Sequence, residues 1–277
     1  MSIIESFNKI SRASEIEHVM VLGEYNIDAL DPNTKAAILE FRIEYLDKKS
    51  IAEFVRKSGE PSETLALEDF GAPALSKYLE ELSKQEIPDV MKKTAEKLDL
   101  QAWQIFEHAT YSIFQFCFGY TVQKLGSEKL FEHEPEGVVL VQDHVGFSFI
   151  YECKTARESY HMTSDHGIRY CDYIEKKKPY VKYLYNCELQ YYVIIAPSFS
   201  GNIRERREQI HQRTNVLAVF LPSRLLSELA IWACALPSQV KRLLDLREIF
   251  KISDTEVSEK SVRDYMQNFE ERTRHRY

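Results

Sequence analysis

Several features that mark large protein classes are missing from this sequence. It has no apolar run of the ~18 residues that a membrane-crossing helix needs, and Met1 to Ile16 carries no signal-peptide pattern. A cytoplasmic protein with no membrane partner is therefore expected. Its five cysteines (117, 153, 171, 187 and 234) are odd in number, widely spaced and without a Cys-x-x-Cys pair or matching histidines. That pattern indicates neither a disulfide framework nor a zinc site, and predicts reduced, mostly buried thiols. Glycine is sparse, at nine residues, with no Gly-rich phosphate loop and no internal repeat, which disfavours a nucleotide-driven motor. Positive charge is not in excess either. The 36 basic and 43 acidic side chains give −7, which argues against a generally basic nucleic-acid coat. Residues 1–100 hold 20 acidic and 13 basic side chains, whereas residues 101–277 hold 23 of each. Any contact with DNA must come from local patches in the second part.

What is present is a soluble globular composition, 44% apolar and 29% charged, in a 277-residue chain long enough for one large domain or two smaller ones. Residues 1–100 read as a helical module. Ala36 to Val55 carries Ile38, Leu39, Ile43, Leu46 and Phe54 at helical spacing, and Ala74 to Leu82 and Asp89 to Leu98 follow. The module reads either as a packing element or as a sequence-reading domain; its acidity and lack of an Arg/Asn/Gln-rich helix favour the former. Residues 101–277 are expected to form the second domain. Trp103, Phe106, Ile113, Phe114, Phe118, Val122 and Leu125 line one long helix that Gly126 ends. His108 and His133 have no metal-pair spacing and read as exposed.

The stretch from Val138 to Lys154 carries the chemistry. Val138-Val139-Leu140-Val141 and Phe147-Ser148-Phe149-Ile150-Tyr151 are β-branched and aromatic runs separated by a segment ending in Gly146, which reads as a hairpin. With His144-Val145-Gly146 as the loop, residue i faces 290 − i, so Glu136 faces Lys154. Glu152 and Lys154 share a face by the two-residue strand period, while Cys153 points into the core. Glu136, Glu152 and Lys154 then converge at one end, and a register one residue different would separate them. Carboxylates so placed need a neutralising cation. Oxygen-only ligands suit Mg²⁺, or Mn²⁺ as a substitute, and Lys154 would orient or deprotonate a water or stabilise charge on a phosphate. Phosphodiester hydrolysis is the chemistry this suits.

Pro135-Glu136, sixteen residues before Glu152-Cys153-Lys154 on consecutive strands, resembles the Pro-Asp…(Asp/Glu)-x-Lys signature of restriction-endonuclease-like nucleases. The segment from about Phe106 to Leu236 is most similar to the FokI-type cleavage domain. Glu136 stands where that family usually has Asp. Glu-x-Lys alone carries nothing, since Glu175-Lys176-Lys177 also satisfies it, and Pro88-Asp89 opens a helical pattern far upstream. The resemblance implies an α/β fold, a mixed sheet flanked by helices, and a Mg²⁺-dependent type II-like endodeoxyribonuclease of genome defence. It would cut double-stranded DNA as a homodimer or with a second nuclease subunit. The alternative is a catalytically inactive subunit of the same fold that binds DNA or a partner. The resemblance also implies that Glu107, on the helix before the strands, joins the catalytic network.

After Lys154, a helix is expected from Ser164 to Lys178, capped by Ser164 or Asp165 and ended by Pro179. Arg169 and Tyr173 lie on one side of it; in the resemblance this helix flanks the DNA cleft, so they read as phosphate or active-site contacts or else as an outward salt-bridged face with a half-buried tyrosine. Leu189 to Ala196 and Val216 to Leu221 read as buried strands, with a helix from Asn202 to Arg213 between them and a parallel pairing permitted. Arg204, Arg206 and Arg207 on that helix read as a solvated face or as backbone phosphate contacts. An apolar helix, Arg224 to Leu236, and a polar one begun at Ser253-Asp254-Thr255-Glu256 complete the chain.

Overall fold

The computed structural model describes residues 20–23, 44–47, 70–125, 135–141, 147–252 and 255–274. The chain divides into two compact units, Met1–Glu63 and Thr64–Tyr277. In the first unit the described residues are two short strands, β1 (Met20–Gly23) and β2 (Glu44–Asp47), paired in parallel. β2 lies inside the stretch expected to be helical. Ile43 and Tyr45 alternate with Arg42 and Glu44, so this short run satisfies the two-residue period as well as the helical one. The rest of the expected Ala36–Val55 helix lies outside the described residues.

The second unit starts at Thr64, whereas the sequence reading puts the boundary at residue 100. Helices α1 (Gly71–Lys77), α2 (Leu79–Ser83) and α3 (Asp89–Leu98) contribute Leu75, Leu79, Leu82, Met91 and Ala95 to the same apolar core as Phe149, Tyr151 and Val193. An amphipathic helix must bury its apolar stripe against something, and for α1 and α2 the helices later in the chain supply that surface. Helix α4 (Ala102–Ser112) runs on through a π-helical turn, Ile113–Cys117. It does not reach Leu125. Gly119, at φ +74°, turns the chain out of the helix, and Thr121–Lys124 forms strand β3.

Strands β4 (Gly137–Val141) and β5 (Phe147–Cys153) form the expected antiparallel pair. Strand β6 (Tyr160–His161), helix α5 (Ser164–Tyr185), strands β7 (Glu188–Ala196) and β8 (Phe199–Ser200), helix α6 (Ile203–Thr214) and strand β9 (Leu217–Pro222) follow. Helices α7 (Ser223–Ala235), α8 (Ser238–Lys241), α9 (Arg247–Ile252) and α10 (Glu259–Arg274) close the chain. The main sheet is mixed, in the order β3-β4-β5-β7-β9, with β5, β7 and β9 parallel. One face (Val139, Phe149, Tyr151, Val193, Val219) packs on α4, α7 and α9, and α1–α3 and α10 complete the same core behind them; the other (Val138, Ile150, Tyr192, Phe220) packs on α5 and α6.

The hairpin register differs from the expected one by two positions: residue i faces 288 − i, as in Gly137↔Tyr151 and Val141↔Phe147. A shift of two preserves which side chains share a face, so Glu136 remains on the side of Glu152 and Lys154. It now lies level with Glu152. Residues 142–146, which hold the expected loop, lie outside the described residues.

Gly137 is what lets this strand end sit so close to its neighbours. A Cβ there would lie 2.5 Å from a Tyr151 ring carbon and 2.8 Å from the Gln123 carbonyl oxygen. The tyrosine is buried and the carbonyl is backbone, so neither can yield cheaply. Gly137→Ala is expected to lower stability by about 1–3 kcal/mol, the usual cost of overpacking, and to displace the adjacent Glu136. A thermal-melt comparison checks this; an unchanged melting temperature contradicts the packing argument.

Helix α5 is capped by Thr163 rather than Ser164 or Asp165: its Oγ1 accepts from His166 N at 3.4 Å. The helix also passes through Pro179 and ends at Tyr185, capped by Asn186 in the left-handed conformation. Burial of Tyr170, Ile174 and Val181 against the sheet holds it across the proline. Helix α10 begins later than expected, where the Ser258 hydroxyl accepts from Ser261 N.

Candidate active site

The end of β5 is organised by three polar groups. Glu152 is only 4% exposed. Its Oε1 forms an ion pair with Lys154 Nζ, and its Oε2 accepts a hydrogen bond from the Tyr192 hydroxyl at 3.3 Å. Glu136, half-buried just before β4, accepts from Cys153 N at 2.9 Å through Oε2. This bond draws the Glu136 carboxyl across to the end of β5, within hydrogen-bonding reach of Glu152. Lys154 is fixed by the backbone as well, since its N–H donates to Ile195 O at 2.8 Å. Two residues on, Ala156 N donates to Ser83 O, tying the segment after Lys154 to α2.

Electrostatically the cluster is short of positive charge. Burial pushes the Glu136 carboxyl well above the usual range and Glu152 pushes it further, with Lys154 opposing. The Lys154 ammonium loses hydration, but Glu152 and Glu136 outweigh that loss and raise its pKa. Glu107, half-buried on α4, is brought into the same field. Burial and then Glu152 push its carboxyl up to about 7, against Lys154 and Lys124. Lys124, on β3, lies over the Tyr111 ring at 4.4 Å and within 3.5 Å of His108 Nδ1.

His108 is buried, contrary to the sequence expectation, because it lies on the face of α4 turned towards the protein. Burial, then Lys124, pulls its imidazole down to about 4, so it is neutral at pH 7. His133 lies outside the described residues. Cys153 points into the core as expected, and the other cysteines are buried except the half-buried Cys234.

Glu107 makes a pH dependence testable. A carboxyl held above its unfolded value keeps its proton longer in the folded state, so stability falls as pH rises from about 4.5 through about 7. Each tenfold change in that proton equilibrium is worth ~1.4 kcal/mol. Glu107→Gln is expected to flatten the melting-temperature decline of the metal-free protein between pH 5 and pH 8. An identical slope in wild type and variant contradicts the burial of this group.

The candidate DNA contacts divide into two sets. Tyr173, half-buried on α5, feels the charges of Glu152, Arg169 and Lys154, so Tyr173 and the exposed Arg169 belong to the neighbourhood of the carboxylates. Arg204 and Arg206 are engaged on their own helix: Arg204 with Glu208, and Arg206 with Glu205 and Gln209. Arg207 is half-buried on the same helix. Reasoning from sequence missed Tyr192, Tyr170, Tyr160 and Lys124. Tyr192 lies in an apolar run buried on both faces, which gives no signal of its direction, and Lys124 falls in the segment expected to continue α4.

Among the described residues, no group of three or more His, Cys, Asp or Glu side chains is gathered to hold a metal. The pair Glu136 and Glu152 nevertheless fits a hard divalent cation. Mg²⁺ is commonly held by one or two carboxylates and keeps several waters, and this pair is oxygen-only and repelled in the cation's absence.

A mixed sheet with two carboxylates and a lysine at the end of one hairpin defines a restriction-endonuclease-like nuclease core. The chain belongs to the FokI cleavage-domain family, whose match spans residues 62–255 and so begins two residues before the second compact unit. A solved structure of restriction endonuclease FokI aligns at 17% identity and a TM-score of 0.45, covering 57% of this chain and 28% of that one. One of restriction endonuclease FokI bound to DNA aligns at 16% and 0.49, covering 66% and 30%. This chain thus spans less than a third of those proteins. No curated protein matches it. No described helix is long and apolar enough to cross a membrane.

Proposed function

We propose that the chain is a metal-dependent endonuclease that hydrolyses phosphodiester bonds in double-stranded DNA, a type II restriction-endonuclease-like enzyme of genome defence. Mg²⁺ is its cofactor and Mn²⁺ a substitute. The supporting observation is the convergence of Glu136, Glu152 and Lys154 in a member of the FokI cleavage-domain family. Glu136 and Glu152 would hold the cation. When bound, it offsets the carboxylate pair, polarises a phosphate oxygen and makes a water a better nucleophile. Lys154, a cation paired with Glu152, stabilises the charge that builds on the phosphate as the P–O bond breaks. Glu107, brought by α4 into the field of Glu152 and Lys154, would be the neighbouring carboxylate that takes up the proton of the attacking water.

Arg169 and Tyr173, on the carboxylate side of α5, are the nearer backbone contacts. Arg204, Arg206 and Arg207 would reach phosphates by releasing the groups they now engage, which makes them the weaker contributors. One carboxylate pair per chain cuts one strand, so cleavage of both requires a second copy or a second nuclease subunit.

The test is incubation of the full chain with supercoiled plasmid in Mg²⁺ or Mn²⁺, beside an EDTA control. Cation-dependent nicking or linearisation is expected. DNA binding without cleavage under either cation identifies the silent subunit instead.

A further inference from the structure

We infer that Tyr192 is a positioning residue for the Glu152 carboxylate, fixing how that group presents its oxygens to a divalent cation; the inference rests on the metal-site reading above. Tyr192 lies on β7, next to β5. In the register Ile150↔Tyr192 and Glu152↔Ile194 it sits one same-face step behind the residue level with Glu152. From there its hydroxyl donates to Glu152 Oε2 at 3.3 Å, while Oε1 takes Lys154. The carboxylate is thus tied at both oxygens, by one group on β7 and one just past the end of β5.

The two ties differ in stiffness. Lys154 is a long, flexible side chain that is 30% exposed, and alone it leaves the carboxylate free to turn. Tyr192 is fully buried and its ring packs on Tyr170 of α5, with centroids 5.0 Å apart. Tyr170 is held in turn, because its hydroxyl is 2.8 Å from that of Tyr160 on β6. A tyrosine ring has few torsions to begin with, and this one is clamped, so its hydroxyl is a fixed donor. Phenylalanine would fill the same space without burying a polar group, so the hydroxyl at this position is accounted for by its bond to Glu152. Groups that orient a metal ligand in this way typically contribute 10–100-fold to metal affinity.

The test uses the full chain and Mn²⁺ alone, titrated calorimetrically into wild type, Tyr192→Phe and Tyr191→Phe. Tyr191 is the adjacent residue on the opposite face, packed on Phe147 and Phe250. Tyr192→Phe is expected to bind Mn²⁺ about 10-fold or more weakly, and Tyr191→Phe to bind as wild type. Equal affinity in wild type and Tyr192→Phe overturns the inference and leaves the metal site standing. Equal weakening by both substitutions also overturns it, since the effect is then general loosening of β7. If wild type itself takes up no Mn²⁺, the metal-site reading fails and the inference falls with it. Thermal unfolding of Tyr192→Phe, Glu152→Gln and the double variant gives a check that needs no metal. The two substitutions are expected to be non-additive, and additivity overturns the contact.

Discussion

Purified Glu152→Ala protein is expected to lose cation-dependent DNA cleavage by about a thousandfold or more, while remaining folded. Losing the cation's polarisation of the phosphate removes several kcal/mol of transition-state stabilisation, and every ~1.4 kcal/mol is tenfold in rate. Glu152 is the hub of the cluster: Lys154 and Tyr192 contact it directly, and its charge is felt by Glu136 and Glu107. Its removal relieves the repulsion on those two carboxyls but leaves Lys154 with one fewer counter-charge. The opposing changes predict a small shift in melting temperature beside a large loss of rate. Glu152→Gln keeps the shape and removes only the charge, so the two variants should fail alike if charge is what matters. Cleavage by Glu152→Ala at the wild-type rate, free of contaminating nuclease, would remove this residue from the site.

Glu136 carries the second large effect, and its sign depends on what is measured. Glu136→Gln is expected to weaken Mn²⁺ binding by about a hundredfold or more, at least the upper end of what losing an outer-shell partner costs. The amide keeps an oxygen for the Cys153 N–H but has no charge to offset a cation. In metal-free protein at neutral pH or above, the same substitution is expected to raise the melting temperature, because one of two repelling carboxylates is gone. Tighter folding together with weaker metal binding distinguishes a ligand from a structural side chain, for which both would fall. Glu136→Asp restores the residue usual in the family on a side chain one methylene shorter. Partial activity is expected, because the Cys153 N–H that now positions the carboxylate lies at the longer reach. Unchanged Mn²⁺ affinity in Glu136→Gln would mean that the second ligand lies elsewhere. Asp143, a carboxylate nine residues before Glu152 in sequence and outside the described residues, is the first to test by Asp143→Asn.

Part of this protein is written locally in its sequence. The β-branched and aromatic runs in Val138–Val141 and Phe147–Cys153 determine two strands, and the two-residue strand period puts Glu136, Glu152 and Lys154 on one side of them. That placement survived a two-residue change of register because the strand period is two. Hydrophobic runs likewise determined β7 and β9, where burial on both faces leaves no other use for such a segment. Tertiary structure alone decided the rest. Helical periodicity marks an apolar stripe without naming what covers it, so only packing shows that α1–α3 belong to the core and that His108 faces inward. Glu107, Lys124, Tyr170 and Tyr192 come from four elements, and nothing local in any of them points towards Glu152. What brings them there is the stacking of α4 and α5 on opposite faces of one sheet. Distances between separate elements are set by packing, which no single stretch of sequence contains.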